Sequence, residues 1–195
     1  VPRLIQPAYD NLYPFSDELA RIKSNGRFGF VNTTGEVVIP PRFANAQNFR
    51  NGLAPAKLKG HYGLINRQGE WVLEPAYDIL WYAGKGLYGA GRDNRYGLIR
   101  PDGTEVTGLR FDQLYQFSEG RTWYASEQLW GLLSADGRTV TPPQYGLGWP
   151  FQEGLARAAV YGGVAFIDKS GEVVIPPHFR DVRDFSEGLA AVQVE

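Results

Sequence analysis

Short apolar runs, each followed by a polar pair and a glycine, recur along the whole chain at one spacing. Phe30-Val31, Leu64-Ile65, Leu98-Ile99, Leu132-Leu133 and Phe166-Ile167 precede Gly35, Gly69, Gly103, Gly137 and Gly171. Runs of this length predict a strand entering a tight turn, whose glycine supplies the positive φ that a side chain disfavours. A second strand follows, with Val38, Val72, Val106, Val140 and Val174 in one column and Leu4 in the incomplete copy. Proline closes it at Pro40-Pro41, Pro75, Pro142-Pro143 and Pro176-Pro177, because proline cannot donate to a ladder. Gly108-Leu109 stands there in the third unit.

Next comes an aromatic residue (Phe43, Tyr77, Phe111, Tyr145 or Phe179), then apolar residues three and six positions later, as in Phe111, Leu114 and Phe117. That spacing predicts a single helical or 3₁₀ turn packed on the sheet. Each unit ends in a turn and a third strand, as in Phe151-Gln152-Glu153-Gly154-Leu155-Ala156. The period is 34 residues without insertion or deletion, giving units 26–59, 60–93, 94–127, 128–161 and 162–195 after a partial unit 1–25. The 195 residues are one repeat domain. Glycine or proline at fixed places in every unit excludes the helical pairs of tetratricopeptide arrays, which share this period.

Composition agrees: 24 glycines and 13 prolines, about a fifth of the chain, disfavour long helices. With 20 basic and 21 acidic residues, no global field recruits nucleic acid, and none is expected as a partner. No apolar run approaches a membrane span, and the first residues lack the charged and apolar regions of a signal peptide. The absence of methionine, even at position 1, suggests a processed chain or an excised fragment. Without cysteine there is no disulfide or Cys-ligated zinc.

The aromatic-Gly column reads Phe28-Gly29, Tyr62-Gly63, Tyr96-Gly97 and Trp130-Gly131, with Val164-Ala165 degenerate. With residues 61–78 (HYGLINRQGEWVLEPAYD) and 165–192 (AFIDKSGEVVIPPHFRDVRDFSEGLAAV), it resembles the WG-containing β-repeat family of bacterial proteins over essentially the whole chain. The resemblance implies a scaffold or binding module and brings no shared catalytic residues. Departures fall at Val164-Ala165, Gly108-Leu109 and Arg121-Thr122-Trp123.

The expected fold is all-β: tandem three-stranded meanders stacked as an open solenoid-like array. The alternative is a closed, β-propeller-like ring. Interior-looking apolar residues at both ends, Leu4-Ile5 and Leu189-Ala190-Ala191-Val192, favour the ring, as does a length nine residues short of six periods. Against it, 34 residues is short for a four-stranded blade, and the open array is placed first.

Catalytic chemistry is sparse. His61 and His178 occupy different unit positions, so neither a metal nor a cofactor is expected. Ser118 and Ser186 share a turn column with the acids Asp17, Glu119, Glu153 and Glu187 one residue on, and turn capping is the expected role. Glu74, Asp93 and Glu105 are acids the repeat does not explain. Arg92, Arg95, Arg100 and Arg110 interleave with acids that screen them.

The functional signal is aromatic. Unit position 22 reads Tyr13, Gln47, Trp81, Tyr115, Trp149 and Arg183, and Tyr82, Tyr88, Trp123 and Tyr124 are further aromatics in the middle units. If the column faces solvent, its rings form a platform for sugars or for a partner's apolar side chains; otherwise they complete the core. The expectation is a non-enzymatic module that presents Tyr13, Trp81, Tyr82, Tyr115, Trp123 and Trp149 to a protein partner or a cell-envelope glycan. A glycan-active enzyme and a structural spacer are the alternatives.

Overall fold

A computed structural model describes residues 9–179 and 181–193. Leu4 and Ile5 lie outside them. Every regular element among the described residues is a β-strand, and no helix is long and apolar enough to cross a membrane. The first sheet comprises β1 (Asn11–Ser16), β2 (Leu19–Ser24), β3 (Arg27–Asn32) and β4 (Val37–Phe43). The second comprises β5 (Asn45–Ala46), β6 (Leu53–Leu58), β7 (His61–Asn66) and β8 (Trp71–Tyr77). The third has β9 (Ile79–Gly84), β10 (Leu87–Arg92) and β11 (Arg95–Ile99). The fourth has β12 (Gln113–Leu114), β13 (Arg121–Ser126), β14 (Leu129–Ser134) and β15 (Thr139–Tyr145). The fifth has β16 (Leu147–Gly148), β17 (Leu155–Val160), β18 (Gly163–Asp168) and β19 (Val173–Ile175). In the sixth, β20 (Asp181–Val182) pairs with β21 (Val192–Gln193).

Each complete sheet is an antiparallel meander of four strands in chain order, not three. The segment expected to form a helical turn is the first strand of the next sheet: Asn45 and Ala46 pair with Lys57 and Ala56, and Gln113 and Leu114 with Ala125 and Tyr124. A strand fits because two of its residues suffice to bring the following turn into place, so 34 residues hold four strands. In the third sheet the last strand is reduced to two bridges, Ile99 to Glu105 and Tyr96 to Phe111, around Gly108.

The turn glycines behave as their column predicts. The amides of Gly35, Gly69, Gly103, Gly137 and Gly171 each donate to the carbonyl three residues back at 2.9–3.0 Å, and all five have φ between 81° and 87°. The preceding Asn32, Asn66 or Asp168 side chain accepts two more turn amides, and its Ser170 hydrogen bond leads in holding the Asp168 carboxyl below its usual pKa. The glycine of the aromatic-Gly pair has another cause. A Cβ at Gly63 would lie 2.2 Å from the Leu73 carbonyl oxygen, so only glycine admits the neighbouring strand. Phe28, Tyr62 and Trp130 accordingly pair with Phe43, Tyr77 and Tyr145. Where Ala165 replaces the glycine, that pair is missing and β19 ends at Ile175.

The core lies between sheets. One cluster joins Phe30, Ile39 and Phe43 of the first sheet to Ala46, Phe49, Ala54 and Ile65 of the second. Its Phe30 and Phe49 rings meet edge to face at 4.7 Å. Further clusters bridge the second to the third, the third to the fourth, and the fourth to the fifth. Phe15 shows what the neighbour contributes: it is 46 % exposed, whereas Phe49 and Phe151 at the same repeat position are 0 % and 3 % exposed.

Polar latches repeat with the same offset. The Asp17, Glu119 and Glu153 carboxylates accept the backbone amides of Gly52, Gly154 and Gly188 in the next sheet at 2.6, 3.0 and 2.9 Å. Asp17, Glu119 and Glu153 therefore cap turns, and the turn each caps belongs to the following repeat.

Two stability predictions follow from this packing. A side chain at Gly69 meets both the positive φ of 82° and the Ile39 side chain, 3.1 Å from the added Cβ. Gly69→Val should cost about 2 kcal/mol or more, read from chemical denaturation. Burial, then the neighbouring Tyr82 and Asp17, pushes the Tyr88 phenol up from 10 to about 12. Below pH 10 the phenol is neutral whether the chain is folded or not. Above it the unfolded chain ionises first, so stability should fall as pH rises from about 10 to about 12. Burial likewise raises Tyr62, Tyr77, Tyr124 and Tyr145. Circular dichroism against pH should show base-induced unfolding in this window, with a shallower slope in Tyr88→Phe.

Candidate functional site

Position 22 lies on or just beyond the first strand of each sheet and faces position 30 on the second strand. Trp81 pairs with Gly89, and the amides of Gln47, Tyr115 and Trp149 donate to the carbonyls of Pro55, Trp123 and Arg157. Position 30 therefore decides how each ring is seated. Tyr13 is half-buried under the Arg21 guanidinium, 4.3 Å from the ring centroid, and Trp149 is half-buried under Arg157 at 4.8 Å.

These position-30 side chains also bridge sheets. Arg21 Nη1 donates to the Ala46 carbonyl at 2.7 Å, the Trp123 indole to that of Trp149 at 2.7 Å, and Arg157 Nη1 to that of Val182 at 3.0 Å. Arg157 further forms a two-point ion pair with Asp184 at 2.6 and 3.0 Å. At the second junction Gln47 itself donates to the Leu80 carbonyl at 2.7 Å.

The third junction differs because position 30 is Gly89. A Cβ there would fall 2.1 Å from Trp81 Cζ2, so the indole occupies the space a side chain would take. No side chain bridges to the fourth sheet in this way among the described residues. A cleft of about 520 Å³ opens instead, lined by Trp81 and Tyr96 of the third sheet and by Leu114 and Tyr115 of the fourth. Asn94, Asp112 and Gln113 supply polar groups, and Ile79, 43 % exposed, stands at its wall. The Trp81 and Tyr96 rings are tilted, with centroids 6.2 Å apart, and Tyr115 leans on Trp130 at 4.5 Å. Asp112 is engaged by Arg95 and by the Glu127 amide at 2.8 Å. The Trp81 indole N–H and the Asn94 and Gln113 side chains make no hydrogen bond among the described residues.

The expected site residues thus separate. Trp81 and Tyr115 share the cleft, while Tyr13 and Trp149 sit at other junctions, each stacked on an arginine. Tyr82 faces a different cavity with Arg21, Gln47, Asn48, Arg50 and Gln116. Its hydroxyl accepts from Asn51 Nδ2 at 3.2 Å and from the Gly86 amide at 3.3 Å. Trp123 is corrected from surface to core: it is 1 % exposed, its ring fills the space over Gly148, and it lies against Tyr145 and Phe151. Tyr96, Asn94 and Gln113 were not anticipated; no column of the repeat marks them as a group.

The remaining candidates are dispersed. His61 is exposed beside Asp78 at 3.4 Å, and His178 is exposed on the fifth repeat. Among the described residues no three His, Asp or Glu side chains gather as a metal-binding group. Asp93 holds a turn position at φ 51°, its amide capped by Asp78, and Glu74 lines a cavity with His61 and Trp71.

The WG containing repeat model matches the chain six times, at residues 4–28, 28–60, 62–95, 96–126, 130–162 and 165–195. No curated protein matches it. Among solved structures it is similar to three of Hsv2 from Kluyveromyces lactis. One has a TM-score of 0.51 at 10% identity over 94% of this chain and 71% of that one. The others score 0.50 at 10% and 12% identity, over 83% of this chain and 60% and 61% of theirs. The chain thus spans about three fifths to seven tenths of the length of these β-propeller-like neighbours, and the likeness concerns fold alone.

Gly89→Ala should push the Trp81 indole out of its seat at a cost of about 1 kcal/mol. With all five tryptophans 5-fluoro-labelled, one ¹⁹F resonance should move well beyond the other four.

Proposed function

The chain belongs to the WG containing repeat family, and on that premise we propose that it is a non-enzymatic binding module whose cleft between the third and fourth sheets holds a neutral glycan segment. The observation behind this reading is the convergence of Trp81, Tyr96 and Tyr115 in one cavity with the free amides of Asn94 and Gln113. Aromatic faces take the C–H face of a sugar ring, and amides exchange hydrogen bonds with its hydroxyls. A second reading, an extended protein segment, draws support from Ile79 in the cleft wall, since a branched apolar side chain offers a sugar little.

The same proposal places the sheets around a common axis, as blades of a propeller-like body. Arg21, Asn48, Tyr82 and Gln116 come from four successive sheets yet line one cavity of about 230 Å³. In a straight stack, sheets about 10 Å apart would spread these residues over roughly 30 Å. The likeness to Hsv2 supports this arrangement.

Glycan-array screening of the intact chain, followed by titration calorimetry on the best hit, tests the cleft. Trp81→Ala combined with Tyr115→Ala should weaken binding at least about tenfold while unfolding within about 1–2 kcal/mol of the parent. Trp149→Ala should retain binding. A hit unaffected by the double substitution, or binding lost equally in Trp149→Ala, refutes the cleft assignment.

A further inference from the structure

The second cavity, lined by Arg21, Gln47, Asn48, Arg50, Tyr82 and Gln116, has a chemistry of its own. It is distinct from the aromatic cleft, although Tyr82 and Gln116 directly follow the cleft residues Trp81 and Tyr115. Two guanidinium groups meet in it, and neither Arg21 nor Arg50 pairs with a carboxylate among the described residues. Arg50 is exposed, 5.8 Å from the Tyr82 ring centroid. Arg21 is held by the Ala46 carbonyl at 2.7 Å and by the Tyr13 ring.

Two atoms of this cavity's residues are buried without a hydrogen-bond partner: Arg21 Nε, a donor, and Asn48 Oδ1, an acceptor. Burying such atoms unsatisfied is costly, and few folded proteins do so without reason. Uncompensated positive charge calls for an anion, and the orphan acceptor calls for a ligand that also donates. From the convergence of Arg21, Arg50 and Asn48 in one cavity, we infer that this cavity binds a small hydroxylated carboxylate, a sugar acid of hexuronate size. The carboxylate lies between the two guanidinium groups, and a ring hydroxyl donates to Asn48 Oδ1.

The test is calorimetric titration of the intact chain with sodium D-glucuronate, with D-glucose and sodium acetate as partial ligands. D-glucuronate should bind, D-glucose should not, and acetate should bind at least about tenfold more weakly than glucuronate. Arg50→Gln removes an exposed cation that makes no hydrogen bond through its side chain, and should weaken glucuronate binding about tenfold or more without lowering the melting temperature. Asn48→Asp places a carboxylate in the cavity that would repel that of the ligand, and should abolish binding while leaving the fold intact. Trp81→Ala, which removes an indole of the aromatic cleft, should leave glucuronate affinity unchanged. The assignment is overturned if glucuronate does not bind, if glucose or acetate matches it, if Arg50→Gln binds as the parent does, or if Trp81→Ala abolishes binding.

Discussion

The whole structure depends on each sheet being covered by the next. A four-stranded meander of about 34 residues buries too little apolar surface to stand alone. Here the burial is made across junctions, as Phe30 on Phe49, Trp123 on Phe151 and Phe166 on Phe185. Phe15, at the same repeat position as Phe49 and Phe151, is exposed and so is not buried by its own sheet. The polar latches obey the same logic: a carboxylate, a guanidinium or an indole on one sheet satisfies backbone groups on its neighbour. Because those partners sit a constant number of residues away, any insertion would misalign apolar and polar contacts together, which accounts physically for a period that never varies.

Much of this was legible in the sequence, though its phase was not. The period, the strand-turn-strand order and the turn glycines follow from local chemistry, since a positive φ and a tight hairpin are properties of a few consecutive residues. Units drawn from Gly26 cut each sheet between its second and third strands, because a periodic pattern carries no mark of where a sheet begins. The Phe111, Leu114 and Phe117 spacing imitated a helical turn. Phe111 closes one sheet, Leu114 opens the next, and the amide of Phe117 donates back to the Ala83 carbonyl of the third sheet. Three contacts with two sheets produced an interval of three without any helix.

The site was legible in composition and opaque in geometry. Position 22 stands out as an aromatic column, and two of its members, Trp81 and Tyr115, do share a cleft. Whether a ring lies open or is roofed depends on a residue eight positions later, across the strand pair, and on what that residue reaches in the next sheet. Arg21 and Arg157 roof their rings, and Gly89 leaves its ring in a gap. Trp123, conspicuous as an off-pattern aromatic, occupies this same bridging position, and its indole does for the fourth junction what a guanidinium does for the first. The off-consensus Trp123 is thus a substitute bridge and not a surface feature.

This division separates what the repeat keeps from what it varies. Turn glycines recur in every full unit, whereas latch acids and junction aromatics recur in most units, with Asn51, Lys85 and Ala83 standing in their columns elsewhere. Residues at positions 22 and 30 change freely because several side chains can close a junction: arginine, glutamine and tryptophan each do so here. Closing a junction is therefore the common condition, and leaving one open is the local exception. Gly89 creates that exception where two further rings are at hand, and a nearly uniform scaffold acquires an aromatic cleft by omitting a side chain instead of adding one.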